Sequence, residues 1–148
     1  MADRKTFVLV HGAWLGGWCW DRVADRLRAK GHRVYAPTLT GVADRSHLLA
    51  PDISLATQVT DIVNLIKWHD LSDVVLVGHS YGGFVVSGVA EQMEQAITSI
   101  VFLDAFVPDD GQCLVDLTVP ESGARIRSVL LQREDIEEVF LRLCKGGT

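Results

Sequence analysis

The run Gly78-His79-Ser80-Tyr81-Gly82 sets a serine at the centre of a G-x-S-x-G pattern. A serine that attacks a carbonyl from a strand-to-helix corner needs strained backbone angles and uncrowded neighbours. Glycines two before and two after it meet that steric demand. The context fits, because Asp73-Val-Val-Leu-Val77 reads as a strand before the corner. Phe84, Val85, Val89 and Met93 lie at helical spacing after it. Ser80 is therefore the candidate nucleophile. The Tyr81 backbone N–H, at the N-terminus of that helix, points at any oxyanion that develops. The plainer alternative is a glycine-rich turn whose serine caps a helix.

An oxyanion wants a second donor. In this arrangement it comes from a loop after an earlier strand. His11-Gly12-Ala13-Trp14 follows the apolar run Phe7–Val10, and the Ala13 N–H is the candidate. Gly12, Gly16 and Gly17 do not space as G-x-G-x-x-G, so a dinucleotide loop is disfavoured.

Serine also needs a base, normally a histidine oriented by a carboxylate, in the chain order Ser, acid, His. The five histidines, His11, His32, His47, His69 and His79, all precede or adjoin Ser80. His79 points away from the hydroxyl by strand alternation, His11 is expected to order the oxyanion loop, and His69 follows a helix at the wrong edge. His47 is the substitute base to consider. Asp104, ending a strand, is the candidate acid, with a turn or capping carboxylate as the plainer reading.

The elements that must position these residues alternate strand and helix. Phe7–Val10, His32–Pro37, Asp73–Gly78 and Ser99–Asp104 read as strands. Trp20, Val23, Ala24 and Leu27 mark one helical face, closed by Gly31. Leu55, Val59, Ile62, Val63 and Ile66 mark a second, with Ser54 as N-cap. Such alternation predicts an α/β three-layer sandwich around a short parallel sheet of about four strands. His11, Pro37, Ser80 and Asp104 then gather at the carboxyl ends of the strands, where ligands bind in such sheets. Trp14, Trp18, Trp20 and Phe106 either line an acyl pocket or pack in the core, with core favoured for Trp18 and Trp20. Residues 1–148 read as one domain. Its 109–148 segment is helical and cap-like, with Ile136, Val139, Phe140 and Leu143 on one face.

Composition excludes other classes. With 148 residues, 48% hydrophobic and a net charge of −5, the chain holds a core and no basic stripe for a nucleic acid. No His, Cys, Asp and Glu cluster has metal-ligand spacing. Cys19, Cys113 and Cys144 are odd in number and far apart. With no long apolar leader or span, they point to a soluble cytoplasmic protein with reduced thiols and no membrane partner.

The runs FVLVHGAWLGGWCW, APTLTGVADRSHLL, DVVLVGHSYGGFVV and VFLDAFVPDDGQ, in that order, resemble the methylesterase/hydroxynitrile-lyase branch of the α/β-hydrolases. The similarity is greatest to bacterial carboxylesterase and pyrethroid-hydrolase-like members and covers about residues 5–120. It implies a cofactor-free serine esterase for small or hydrophobic carboxylic esters, with Ser80 as nucleophile and Ala13 and Tyr81 as the oxyanion hole. Arg133–Leu143 resembles a helix of the family's cap. The two strands that carry the family's acid and histidine are expected beyond Thr148. The alternative is therefore a catalytically impaired or ligand-binding pseudo-hydrolase. An unprotected last strand predicts a homodimer through the sheet edge or the C-terminal helices.

Overall fold

The computed structural model describes residues 4–117. Four strands, β1 (Thr6–Val10), β2 (Arg33–Tyr35), β3 (Val74–Ser80) and β4 (Ile97–Ala105), form one wholly parallel sheet in the order β2-β1-β3-β4. Three helices cross between them: α1 (Asp21–Ala29), α2 (Leu55–Trp68) and α3 (Gly82–Met93). The expected α/β three-layer architecture is the observed one.

Apolar runs buried on both faces are what parallel strands require. Val8 and Val10 of β1, with Val74 and Leu76 of β3, point into the layer closed by α2 and α3, against Val59, Ile62, Ile66, Phe84, Val85 and Val89. Leu9, Val75 and Val77 alternate to the other face, where Trp20 and Ala24 cover them. Burying each such aliphatic side chain contributes about 1.5–3 kcal/mol. The sheet is thereby clamped from both sides.

Helix ends follow local chemistry. At the end of α1 the Gly31 N–H donates to the Arg28 carbonyl and the His32 N–H to the Leu27 carbonyl. Gly31, at φ +89°, supplies the left-handed turn this closure demands. The same closure ends α2 with Asp70 at φ +48°. At its start the Ser54 N–H donates to Thr57 Oγ1 at 3.1 Å.

Two expectations about faces are corrected. Trp18 lies in a 3-10 turn, Gly17–Trp20, that precedes α1, and it is 55% exposed rather than core. Val23 is likewise exposed, because Trp20 and Ala24 already fill the space over β1 and β3. Residues 109–117 form a turn and a short 3-10 segment, Leu114–Leu117, with Leu114 buried. The helices expected further on lie outside the described residues.

Candidate active site

Strand β3 runs out on Ser80, whose φ is +52°. A non-glycine residue held there carries backbone strain on the order of 1–2 kcal/mol. Its surroundings fix it: the Phe106 N–H donates to the Ser80 carbonyl at 3.1 Å, and Tyr81 turns the chain into α3. The flanking glycines meet the expected steric demand. A Cβ on Gly78 would stand 2.8 Å from the Gly82 carbonyl oxygen, and one on Gly82 would stand 2.8 Å from that of Val10. Side chains at either position would force the corner open.

The loop after β1 approaches this corner closely. A Cβ on Gly12 would lie 3.0 Å from Ser80 Cβ and 3.1 Å from His79 Nδ1. His11, 1% exposed, sets the loop's orientation. Its Nε2 accepts the Leu39 N–H at 3.0 Å, so the ring proton sits on Nδ1 and donates to the Gly12 carbonyl at 2.8 Å. Burial lowers the His11 pKa, opposed by that carbonyl bond and by the charge of Asp44. In a trans peptide the N–H opposes the C=O, so fixing the Gly12 carbonyl also fixes the direction of the Ala13 N–H. The side chain of His11 thus orders the loop, as expected from its position.

Behind both runs a buried polar chain that the periodicity did not reveal. The Tyr81 hydroxyl donates to Gln58 Oε1 at 2.9 Å, and Gln58 Nε2 donates to the Thr40 carbonyl at 3.1 Å. Thr40 in turn donates its N–H and hydroxyl to the two oxygens of Asp61, at 2.6 and 2.8 Å. Arg45 Nη1 reaches the Thr38 carbonyl at 2.9 Å and Asp61 at 3.8 Å. Helix α2 therefore ties the residue after Ser80 to the loop after β2. The available signal was Gln58 itself, a polar residue one position before Val59 on the inner face.

The remaining candidates are dispersed. Asp104 is exposed at the carboxyl end of β4, in a bulge beside Ala105, the register partner of Ser80. His47 is exposed on a 3-10 turn, Ala43–Leu48. His79 turns edge-on to Trp20, with ring centroids 6.3 Å apart, as alternation predicted. His32 packs on Phe7 and His69 on Tyr35. Of the aromatics weighed for an acyl pocket, Trp20 is core and Trp14 is exposed, while Phe106 packs on Phe84. Burial raises the Cys19 thiol's pKa, and Asp21 adds to the effect. Among the described residues no group of three or more His, Cys, Asp and Glu side chains is placed to hold a metal. No helix there is long and apolar enough to cross a membrane.

A strained serine between a parallel strand and a helix, with a glycine loop against its Cβ, is a family signature in geometry. Residues 7–143 match the alpha/beta hydrolase family. The chain belongs to that family. Within it, a carbendazim hydrolyzing esterase of Nocardioides sp. (strain SG-4G) is 52% identical over 111 residues, 75% of this chain and 46% of the relative. Methylesterase 8 of Arabidopsis thaliana is 40% identical over 72% of this chain and 39% of its own length. An extracellular alpha/beta-hydrolase from a Paenibacillus species, described as a structural and functional homologue of tobacco salicylic acid binding protein 2, superimposes with a TM-score of 0.82. It is 36% identical and covers 88% of this chain and 53% of its own. The chain thus spans about half the length of these relatives or less. It falls in the esterase-bearing branch that its motifs resemble.

Proposed function

We propose that this chain is the nucleophile-bearing part of a carboxylic ester hydrolase, acting on small or hydrophobic esters through a Ser80 acyl-enzyme. The observation that carries the reading is Ser80 at φ +52° with Gly12 packed against its Cβ. The names of the relatives, a methylesterase and an esterase among them, support the substrate class. In the first step Ser80 Oγ bonds to the ester carbonyl carbon and yields its proton to a base. The carbonyl oxygen becomes an oxyanion facing the N–H groups of Ala13 and Tyr81. Collapse expels the alkoxide, which leaves as alcohol once protonated, and water later releases the acid. Cys19 and Cys113, unpaired among the described residues, suit a reducing cytoplasmic setting.

A second reading rests on the histidines. His11 is committed to the loop, His79 lies against Trp20, and His47 is exposed. With His47 and Asp104 both exposed, acylation without release is the alternative. The test is to mix the chain with excess activated aryl ester and follow phenol release, with Ser80→Ala in parallel. Sustained turnover lost in the variant supports the full hydrolase. A single stoichiometric burst supports the impaired form, and release equal to that of the variant overturns both.

A further inference from the structure

Both peptides that present the oxyanion donors are gripped from their far side. The Gly12 carbonyl accepts from His11 Nδ1, which aims the Ala13 N–H. The Ser80 carbonyl accepts from the Phe106 N–H at 3.1 Å. No peptide bond among the described residues is cis. The Tyr81 N–H therefore opposes the Ser80 carbonyl and is aimed by whatever holds it.

Phe106 reaches Ser80 through an irregularity in β4. From Val75–Ser99 to His79–Leu103 the strands pair residue for residue, and the next pair is Ser80–Ala105. Asp104 is the extra residue of a bulge, at φ +45°. An unbroken register would set Asp104 opposite Ser80, so the bulge advances the pairing by one residue. Bulges beside active sites re-aim groups in this way. Beyond the bulge the chain lies directly on α3. A Cβ on Gly83 would overlap the Phe106 carbonyl oxygen and stand 3.1 Å from the Phe106 nitrogen. The Phe106 ring packs on Phe84 with centroids 6.3 Å apart, and Phe84 stacks on Tyr81 at 5.9 Å. Backbone and ring of Phe106 are thus both held at the helix start that follows the nucleophile.

We propose that Asp104 is a positioning residue, whose left-handed backbone carries Phe106 onto the Ser80 carbonyl and so aims the Tyr81 N–H at the oxyanion. Its effect on rate rests on the Ser80 acyl-enzyme, whereas its effect on hydrogen bonding does not. Backbone conformation is the property at work, and the carboxylate is not. Aspartate, asparagine and glycine accept a positive φ, while β-branched residues resist it.

Two readouts on the full 148-residue chain test this. One is the phenol burst from activated aryl ester. The other is the NMR coupling between the Phe106 nitrogen and the Ser80 carbonyl carbon, which exists only across a formed hydrogen bond. Asp104→Val should lose the coupling and slow the burst about ten-fold or more at unchanged half-saturation, as expected of a misaimed oxyanion donor. Asp104→Asn and Asp104→Gly, which lack the carboxylate and accept the backbone angle, should rescue both. Replacing Phe106 by its α-hydroxy acid, which exchanges only the N–H for an ester oxygen, should slow the burst as Asp104→Val does. A burst lost in Asp104→Asn assigns the role to the carboxylate and overturns the proposal. So does a coupling or burst that survives Asp104→Val. Should Asp104→Val fail to fold by circular dichroism, the Phe106 ester decides, and an undiminished burst there overturns the proposal. An unsubstituted chain with no burst above Ser80→Ala overturns the Ser80 reading instead. The coupling then decides alone, its loss confined to Asp104→Val supporting the proposal and its persistence overturning it.

Discussion

The Tyr81 hydroxyl and Gln58 Oε1 meet at 2.9 Å inside the core, one residue from the candidate nucleophile. Gln58 also donates to the Thr40 carbonyl, so one side chain serves two buried groups on different elements. Gln58→Leu roughly keeps the volume and removes both of these bonds, at a cost of about 1–3 kcal/mol. Tyr81→Phe orphans only the glutamine oxygen and costs less. Because the two residues share one bond, the double variant should fall short of the sum of the singles. Thermal melts of the four proteins measure this, with each kcal/mol worth about 2–4 °C at this size. Additive losses would mean that the bond does not couple the corner to α2.

The state of His11 makes a pH prediction. Burial lowers its pKa, so the folded chain favours the neutral ring while the unfolded chain protonates it normally. The unfolded state therefore binds more protons below about pH 6.5, and stability falls as pH falls through that range. The stabilisation is fully present above the ordinary histidine pKa. Protonation also gives Nε2 a hydrogen facing the Leu39 N–H, which opposes the bond that holds the loop. Between pH 7.5 and 5 the unsubstituted chain should lose stability more steeply than His11→Gln, the excess slope approaching about 1.4 kcal/mol per pH unit. Parallel slopes in urea titrations would assign the acid sensitivity to other groups.

Much of this fold was legible because apolar spacing reports burial directly. The strands before Ser80 and the face Val59, Ile62 and Ile66 of α2 are where periodicity places them, and Gly31 closes α1. Spacing fails where burial depends on a partner far along the chain. Trp18 sits where an inward residue would, yet the 3-10 turn before α1 rotates it outward. Gln58, which apolar spacing does not mark, is 1% exposed, because Tyr81 and Thr40, respectively 23 and 18 residues away, meet its two polar ends. The corner was legible from G-x-S-x-G because its glycines answer a local steric demand. The polar chain that braces the corner answers a tertiary one.

The approach of Gly12 to Ser80 is testable by filling it. In Gly12→Ala the new methyl meets Ser80 Cβ at 3.0 Å and the His79 carbonyl oxygen at 3.3 Å. Something must give by a few tenths of an ångström, and the loop moves more easily than a strand end held in the sheet. The Ala13 N–H then shifts away from the oxyanion position. Removing one such donor costs about 10²–10³ in rate, and a partial displacement should slow the acylation burst at least ten-fold. Stability should change far less, because the methyl lies at the end of the strand and not in either core layer. An unchanged burst rate would remove Ala13 from the oxyanion hole.

The strain at Ser80 separates folding from chemistry. Its φ of +52° suits glycine better than any residue with a Cβ, and serine there is retained at a cost in stability. Ser80→Ala and Ser80→Gly both remove the hydroxyl, so both should abolish phenol release. They should differ in stability. Alanine keeps the Cβ in the left-handed region, whereas glycine relieves the crowding and gives back part of the gain through its freer unfolded chain. Ser80→Gly is expected to exceed Ser80→Ala by about 1 kcal/mol, measured as a shift in the urea midpoint at constant slope. Equal midpoints would mean that the corner relaxes around a side chain, and that its backbone geometry is not held against strain for the sake of the hydroxyl.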